Sequence, residues 1–444
     1  MKKRTFLYEF FKLFFSIAHR LFYKEIIVEG RENIPKTGAL IFAPNHQNAL
    51  MDAFAVIFTN IRMVIFLARA DIFKNNFIAW ILYGLKILPV YRQRDGKDSL
   101  QKNEEIFNKT IEILEYKSSM CLFPETQHTD KRRLQQLKKG VQRIALQAEE
   151  KNKFSLDIKI VPVGIYYSDY TSSRSILQIK YGKPINVSDY FNIYKENDQK
   201  AMLAIRDELT ARIKPLIIDI QNPDYYDMYE YLREIYFKNI LEKRKLKNNQ
   251  KNKFIADKII IESLDVYAQN HNEEMSKLNI EVSNYEEQLN KKKLQDKVIV
   301  KPKKSFLILF LKTLVISVLS PVFLYVYIIN FIPYYLPKKV IKNIKDRQFH
   351  SSFKFGIGLL FFPVYYFIII CLIFIFSKFT YFNICFSVTL WFTLYIYFKF
   401  REVYNHIILN WRFFKLKINN PQKLNELIEI RKDIIKKMEG IVKI

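Results

Sequence analysis

A histidine and a carboxylate stand six positions apart in Phe42-Ala-Pro-Asn-His-Gln-Asn-Ala-Leu-Met-Asp52, and this pair is the strongest chemical signal in the chain. A neutral imidazole takes a proton from a hydroxyl only when its other nitrogen is held in one tautomer. A nearby carboxylate does that, and it also stabilises the imidazolium that forms. His46 is therefore a candidate base and Asp52 its orienter, although a histidine packed under a helix start carries the same letters. Three further patches set polar groups beside apolar runs: Leu88-Pro-Val-Tyr-Arg92-Gln-Arg94, Leu122-Phe-Pro-Glu125 with Lys131-Arg-Arg133 behind it, and Ile160-Val-Pro-Val-Gly-Ile165. Arg92 and Arg94 offer planar forks that suit a phosphate, or else they line a solvated loop. Glu125 is a substrate contact or a local cap. Cys121 reads as a small core residue, since no base stands beside it in sequence.

Composition removes many alternatives. Only 10 glycines occur in 444 residues, and none can be assembled into a G-x-x-x-x-G-K-[ST] loop, a G-x-S-x-G elbow or a G-x-G-x-x-G fingerprint. Any phosphate must then be held by Arg and Lys side chains or by helix N-termini. The three cysteines, Cys121, Cys371 and Cys385, are too scattered for a zinc site or a disulfide framework, which fits a reducing cytosolic face; no metal is expected. A net charge of +27 suits either nucleic acid or an anionic membrane surface. The 38 Phe and 28 Tyr, gathered largely in long apolar runs, favour the membrane.

The elements that must position these groups can be read from periodicity. Strands are expected at 25–29, 39–43, 62–68, 87–91, 119–123, 158–167 and 175–181, with helical repeats at 98–116 and 134–150 between them. Residues 25–190 thus predict an α/β domain with a mixed sheet flanked by helices. Pro44 and Asn45 break the second strand and deliver His46 at its end. Residues 1–24, rich in Phe, predict an amphipathic interfacial helix that leaves Glu9, Lys12, Ser16 and His19 on a polar side. Residues 191–304 predict a charged helical arm.

The last third is apolar. Residues 355–376 and 379–398 are each long enough to cross a hydrocarbon core of about 30 Å, so 355–398 predicts a transmembrane hairpin. Its outer flanks are basic, with Lys338, Lys339, Lys342, Lys345, Arg347 and Lys354 before it and Lys399, Arg401, Arg412, Lys415 and Lys417 after it. The positive-inside rule puts both flanks in the cytoplasm. Residues 305–336 also have basic residues at both ends and are too short to cross twice. A membrane-embedded hairpin turning near Pro321 meets both demands, with a single tilted crossing as the alternative. Residues 399–444 predict a basic helical tail. Because the basic residues flank apolar spans and no nucleic-acid reader module is present, nucleic acid is not an expected partner.

Taken in order, the four patches resemble the motifs of the glycerolipid acyltransferase superfamily, over roughly residues 25–185. The resemblance implies His46 as base, Asp52 as its partner, Arg92 as a phosphate contact with Arg94 beside it, Glu125 as an acceptor-site residue and Pro162 as a shaping residue. Lys138-Lys139-Gly140 is similar to the basic segment that follows the third motif. There are two departures. Five residues rather than the usual four lie between His46 and Asp52, a spacing found in branches that acylate glycerol 3-phosphate or its ketone analogue. The third motif continues Thr126-Gln127-His128 and lacks the family's Gly and Arg; His128, or Lys131 to Arg133, would have to supply the charge.

The implied activity is transfer of a fatty acyl group from acyl-CoA or acyl carrier protein to a hydroxyl of glycerol 3-phosphate or lysophosphatidic acid. It needs no bound cofactor, and it is placed at the cytoplasmic face of the inner membrane with the phospholipid bilayer as partner. The altered third motif leaves a second expectation, a catalytically weakened homologue acting as a lipid-binding or membrane-scaffold protein.

Overall fold

The computed structural model describes residues 5–90, 99–125, 129, 131–300 and 306–443. The chain divides into two compact units, one built from Met1–Asp219 and Pro337–Leu360, the other from Ile220–Leu336 and Phe361–Ile444.

The first unit is an α/β layer around a mixed eight-stranded sheet. Its strands are β1 (Glu25–Glu29), β2 (Leu40–Pro44), β3 (Val64–Arg69), β4 (Ile87–Val90), β5 (Ser119–Cys121), β6 (Lys159–Tyr167), β7 (Ile176–Tyr181) and β8 (Ile185–Asn186). The spatial order is β1-β7-β6-β2-β5-β3-β4, with β8 paired to β6. Strands β2, β3, β4, β5 and β6 are mutually parallel, while β7 runs antiparallel to β6 and β1 parallel to β7. The C-terminal ends of five parallel strands therefore share one edge. Two of the four chemistry-bearing patches leave the sheet at that edge, after β2 and β5; Leu88–Val90 of the second lie in β4, and the fourth is β6 itself.

Side chains alternate across the central strands, as a sheet covered on both faces requires. Leu40 and Phe42 of β2 enter one buried cluster, whereas Ile41 and Ala43 enter the other. The first cluster is roofed by α1 (Phe6–Phe22) and α2 (Ala49–Thr59), the second by α4 (Ser99–Glu115), α5 (Gly140–Lys151) and α7 (Asp198–Ile213). The short helices α3 (Asn76–Gly84) and α6 (Phe191–Glu196) complete the unit.

Two local expectations need correction. The helical repeat read from 134 begins at Gly140 instead. The amides of Leu134 and Gln135 are already bonded to the carboxylates of Asp219 (2.8 Å) and Glu125 (2.9 Å), so this stretch runs as a strapped loop. His19 lies on the buried side of α1, not the polar side, and is fully enclosed beside Tyr23 and Phe58. Burial, with help from Arg20, lowers its pKa to about 3, so it serves as a neutral core side chain. Helix α1 thus has two apolar faces. Tyr8, Phe11, Phe15 and His19 pack inward, while Phe6, Phe10, Leu13, Phe14, Ile17 and Leu21 are exposed.

The second unit is helical. It contains α8 (Tyr226–Lys243), α9 (Gln250–Asn270), α10 (Asn272–Lys291), α11 (Asp296–Ile299), α12 (Phe306–Val318), α15 (Thr380–Asn419), α16 (Pro421–Ile441), most of α13 (Ser320–Ile341) and most of α14 (His350–Phe376). The charged arm is not merely a solvated face: Arg233 and Asp257 meet at 2.7 Å, both buried. Arg431 of α16 reaches Asp296 at 2.7 Å, tying the C-terminal helix to the arm.

Among the described residues, two helical stretches are long and apolar enough to cross a membrane, Arg347–Phe376, which contains α14 and reaches a mean hydropathy of 2.8, and α15, which reaches 1.3. The basic tail does not start a new element at 399. Helix α15 continues for 40 residues to Asn419, about 60 Å of helix and twice the thickness of a hydrocarbon core. Near Pro321 the chain breaks, and α12 and α13 meet at a bend of 63°, the geometry of a broken span or a re-entrant loop. In this unit Tyr366 donates to Asn330 at 2.7 Å and lies 3.2 Å from Thr393, a buried polar tie among three apolar helices.

Candidate active site

Strand β2 ends at Pro44, and the next residues are held by the sheet itself. The Asn45 amide side chain takes the place of a continuing strand, donating to the Ile165 carbonyl (3.1 Å) and accepting from the Ile165 amide (2.7 Å). This fixes where His46 leaves the sheet. Helix α2 starts at Ala49, so His46 precedes the helix while Asp52 sits in its first turn. An offset of six on one regular helix would point the two side chains about 120° apart. The bend at Gln47 and Asn48 removes that mismatch, with Ala49 at φ 44° in the left-handed region, a strain typical of functional loops.

The result is a short bond between His46 Nδ1 and Asp52 Oδ2, 2.9 Å. The same Oδ2 accepts from the backbone amides of Gln47 (2.8 Å) and Asn48 (2.7 Å), and Oδ1 accepts from the Tyr167 hydroxyl (2.8 Å). Asp52 is wholly buried, and every one of these contacts uses it as an acceptor. The proton of the His46–Asp52 bond therefore sits on Nδ1, which leaves the basic lone pair on Nε2. The Phe123 ring stacks on the imidazole with centroids 4.0 Å apart and planes 18° from parallel.

Glu125 is drawn into the same cluster by a different route. Its Oε1 accepts from the His46 backbone amide (2.8 Å) and its Oε2 from the Gln135 amide (2.9 Å). The carboxyl is 2% exposed and clamps two loops together rather than facing an open acceptor cleft. Burial is the main cause that raises its pKa to about 8, with the Asp52 and Asp219 charges adding to the rise and the two backbone bonds opposing it.

A folded-state pKa above the ordinary 4.5 means that the folded chain holds this proton more tightly than the unfolded chain. Glu125 therefore favours folding below about pH 4.5, and that contribution fades as pH rises toward about 8. Comparing thermal unfolding of the wild type and Glu125→Gln between these limits should show the wild-type advantage narrowing as pH rises. A gap that stays constant or widens would contradict this assignment. Other titrating groups act equally in both proteins and cancel in the difference.

The candidate residues Arg92, Arg94 and His128 lie outside the described residues. Pro162 sits within β6 and pairs with Ala43; Lys138 donates its backbone amide to the Pro124 carbonyl at 2.8 Å. Cys121 is buried on β5, where burial, with the Asp52 charge, pushes its thiol pKa up, the opposite of what a nucleophile needs.

Sequence reading missed Tyr167 and Tyr170. The signal available was the Tyr166-Tyr167 doublet at the end of β6: alternation sends one of the pair to each face, and Tyr167 reaches Asp52. Tyr170 then bonds Gln47 through its hydroxyl (2.5 Å) and accepts from Asn48 at its carbonyl (3.2 Å). Ser351 and Lys354, at the head of α14, donate to the carbonyls of Tyr170 and Thr171. Removing the Tyr167 hydroxyl takes one donor from the Asp52 carboxylate and leaves the loop amides in place. We expect Tyr167→Phe to lower kcat about tenfold, in the range of a hydrogen bond to a charged group, with KM little changed. Equal kcat values for the two proteins would remove Tyr167 from the orienting chain.

The stretch that carries this arrangement is similar to known proteins. The family model described as Acyltransferase matches residues 25–166. Glycerol-3-phosphate O-acyltransferase 2 of Saccharomyces cerevisiae is 29% identical over 117 residues, covering 23% of this chain. The chain spans only 16% of that relative's length. Among solved structures, the 1-acyl-sn-glycerophosphate (LPA) acyltransferase of Thermotoga maritima aligns with 46% of this chain and 80% of its own, at 21% identity and a TM-score of 0.34. Over residues 25–166 the chain carries an acyltransferase domain.

Proposed function

We propose that this chain is a membrane-bound O-acyltransferase that moves a fatty acyl group from acyl-CoA or acyl carrier protein to a hydroxyl of glycerol 3-phosphate or lysophosphatidic acid. The reading rests above all on one observation, the His46 Nδ1 to Asp52 Oδ2 bond of 2.9 Å, which leaves Nε2 as the base at the C-terminal edge of the sheet. His46 Nε2 takes the proton of the acceptor hydroxyl as its oxygen bonds to the thioester carbonyl carbon. The tetrahedral intermediate then breaks its C–S bond, and the departing thiolate takes that proton from Nε2 to leave as a thiol. No acyl-enzyme forms, and none of the protons passes to Asp52, which stays the acceptor that steadies the imidazolium.

Glu125 serves as a positioning residue in this scheme, while Arg92, Arg94 and His128 are proposed to grip the acceptor's phosphate. Two features make glycerol 3-phosphate the first acceptor to test: the five residues between His46 and Asp52, and the name of the yeast relative. Membrane attachment fits the energetics, since drawing an acyl chain of about fourteen methylenes into water costs roughly 11 kcal/mol at about 0.8 per methylene. The basic flanks of α14 and α15 favour the cytoplasmic face of the inner membrane. Membranes containing the protein, offered one labelled acyl-CoA with each acceptor in turn and then acyl carrier protein as donor, test the reading. Label in lysophosphatidate or phosphatidate supports it and names the acceptor. Lipid binding without transfer to either acceptor overturns it in favour of a binding or scaffold role.

A further inference from the structure

Ser351, Lys354 and Phe355 stand at positions i, i+3 and i+4 of α14 and so share one face of its first turns. All three lie far beyond residue 166, where the family match ends, yet they meet the elements that build the candidate active site. The Ser351 hydroxyl donates to the Tyr170 carbonyl and the Lys354 ammonium to the Thr171 carbonyl. Phe355 is buried and packs on Phe54 of α2, two residues after Asp52, with ring centroids 5.4 Å apart.

Tyr170 is the joint in this arrangement. Its hydroxyl donates to Gln47 Oε1 at 2.5 Å, and its carbonyl accepts from the Asn48 side chain at 3.2 Å as well as from Ser351. Gln47 and Asn48 are the residues whose backbone amides hold Asp52 Oδ2. The turn around Tyr170 is stiff, because Asp169 Oδ1 accepts from the amides of Thr171 (2.7 Å) and Ser172 (2.9 Å) and Oδ2 from the Ser172 hydroxyl (2.9 Å). A displacement at the Thr171 carbonyl is therefore passed to Tyr170 and not absorbed. The path runs from Ser351 to Tyr170, from Tyr170 to Asn48 and from Asn48 to Asp52.

From this we infer that the head of α14 belongs to the active site: Ser351 and Lys354 are positioning residues that, through Tyr170, hold the Gln47–Asn48 bend and so the aim of Asp52 at His46. The bend needs such outside support. It leads into Ala49 at φ 44°, and a strained backbone persists only where its surroundings over-determine it. A helix supplies that support better than a loop, since its first turns move as one body with the rest of α14, 27 residues long. The catalytic consequence rests on the acyl transfer proposed above; the hold on the bend does not.

Ser351→Ala and Lys354→Met each remove one donor, and Lys354→Arg puts one back. The full-length proteins are reconstituted in phosphatidylcholine and phosphatidylglycerol vesicles, and amide hydrogen exchange is followed by mass spectrometry beside kcat and KM for labelled acyl transfer. We expect the peptide containing Gln47 and Asn48 to exchange about fivefold faster in Ser351→Ala and in Lys354→Met, the scale of one lost hydrogen bond. Exchange in α5 should be unchanged, and Lys354→Arg should stay close to the wild type. The fall in kcat should be of the same size, with KM little altered. Unchanged exchange at Gln47 and Asn48 overturns the inference. Faster exchange throughout the first unit overturns it too, because the side chains would then be general supports of the fold. Faster exchange at the bend with an unaltered kcat removes their positioning role. A wild type that transfers no acyl group defeats the proposed function instead, and the exchange rates then still decide whether α14 holds the bend.

Discussion

Replacing His46 by Ala is expected to lower transfer of a labelled acyl group about 10²- to 10⁴-fold, the range that a positioned general base supplies. The loss should fall on kcat with KM little changed, because the imidazole acts on the hydroxyl proton and is not proposed to hold the phosphate or the thioester. The protein should remain folded. The His46 backbone amide that donates to Glu125 at 2.8 Å survives the substitution, while the stacking on Phe123 and the bond to Asp52 are lost. What Asp52 loses is one of four donors; the amides of Gln47 and Asn48 and the Tyr167 hydroxyl stay in place. Labelled transfer and a thermal unfolding curve on the same preparation separate the two effects. Transfer at the wild-type rate by a folded His46→Ala protein would remove His46 as the base.

Why His46 and Asp52 could be read from sequence while Tyr167 could not is a question of which constraints are local. The pair lies within one strand-end and one helix start, so residue type and spacing carry most of the information; only the way the extra residue is absorbed, through a bend and a left-handed Ala49, needed coordinates. Tyr167 reaches Asp52 across 115 residues, and that meeting depends on β6 pairing with β2 in the register Ala43 with Pro162. No local pattern encodes a register. Glu125 was visible as a chemical group, but its orientation was not, because both partners are backbone amides and a backbone amide has no letter in the sequence.

The fold was legible for similar reasons. Short apolar runs marked the strands, and the α/β layer follows from their alternation with amphipathic helices. Helix α3 shows where apolar content misleads. Its nine residues carry no charge, yet four of its large side chains face outward, so apolar character alone does not say which residues are buried. His19 shows the converse, a polar letter enclosed by aromatic rings.

The largest effect after His46 should come from Asp52→Asn, and its value lies in separating charge from scaffold. Asn offers one oxygen and one amide group where Asp offers two oxygens. With its oxygen in the place of Oδ2, it still accepts from His46 Nδ1 and from the amides of Gln47 and Asn48, while its amide group faces Tyr167, whose hydroxyl can turn to accept. The reverse orientation would set an N–H donor against three others, so the first one wins and the loop keeps its shape. What disappears is the negative charge that stabilises the imidazolium, so the fall in kcat should approach but not exceed that of His46→Ala, on the order of 10²- to 10³-fold. We expect a loss of that order with near-normal unfolding. Asp52→Ala should instead lose both activity and stability, since two loop amides are left without an acceptor at about 1–3 kcal/mol each. If Asp52→Asn retains wild-type kcat, the carboxylate is not the orienter. If Asp52→Asn and Asp52→Ala unfold at the same temperature, the amide bonds are not what hold the loop. The informative result is the split between them: an inactive, stable Asn protein beside an inactive, destabilised Ala protein would mean that one buried carboxylate builds the loop and polarises the base.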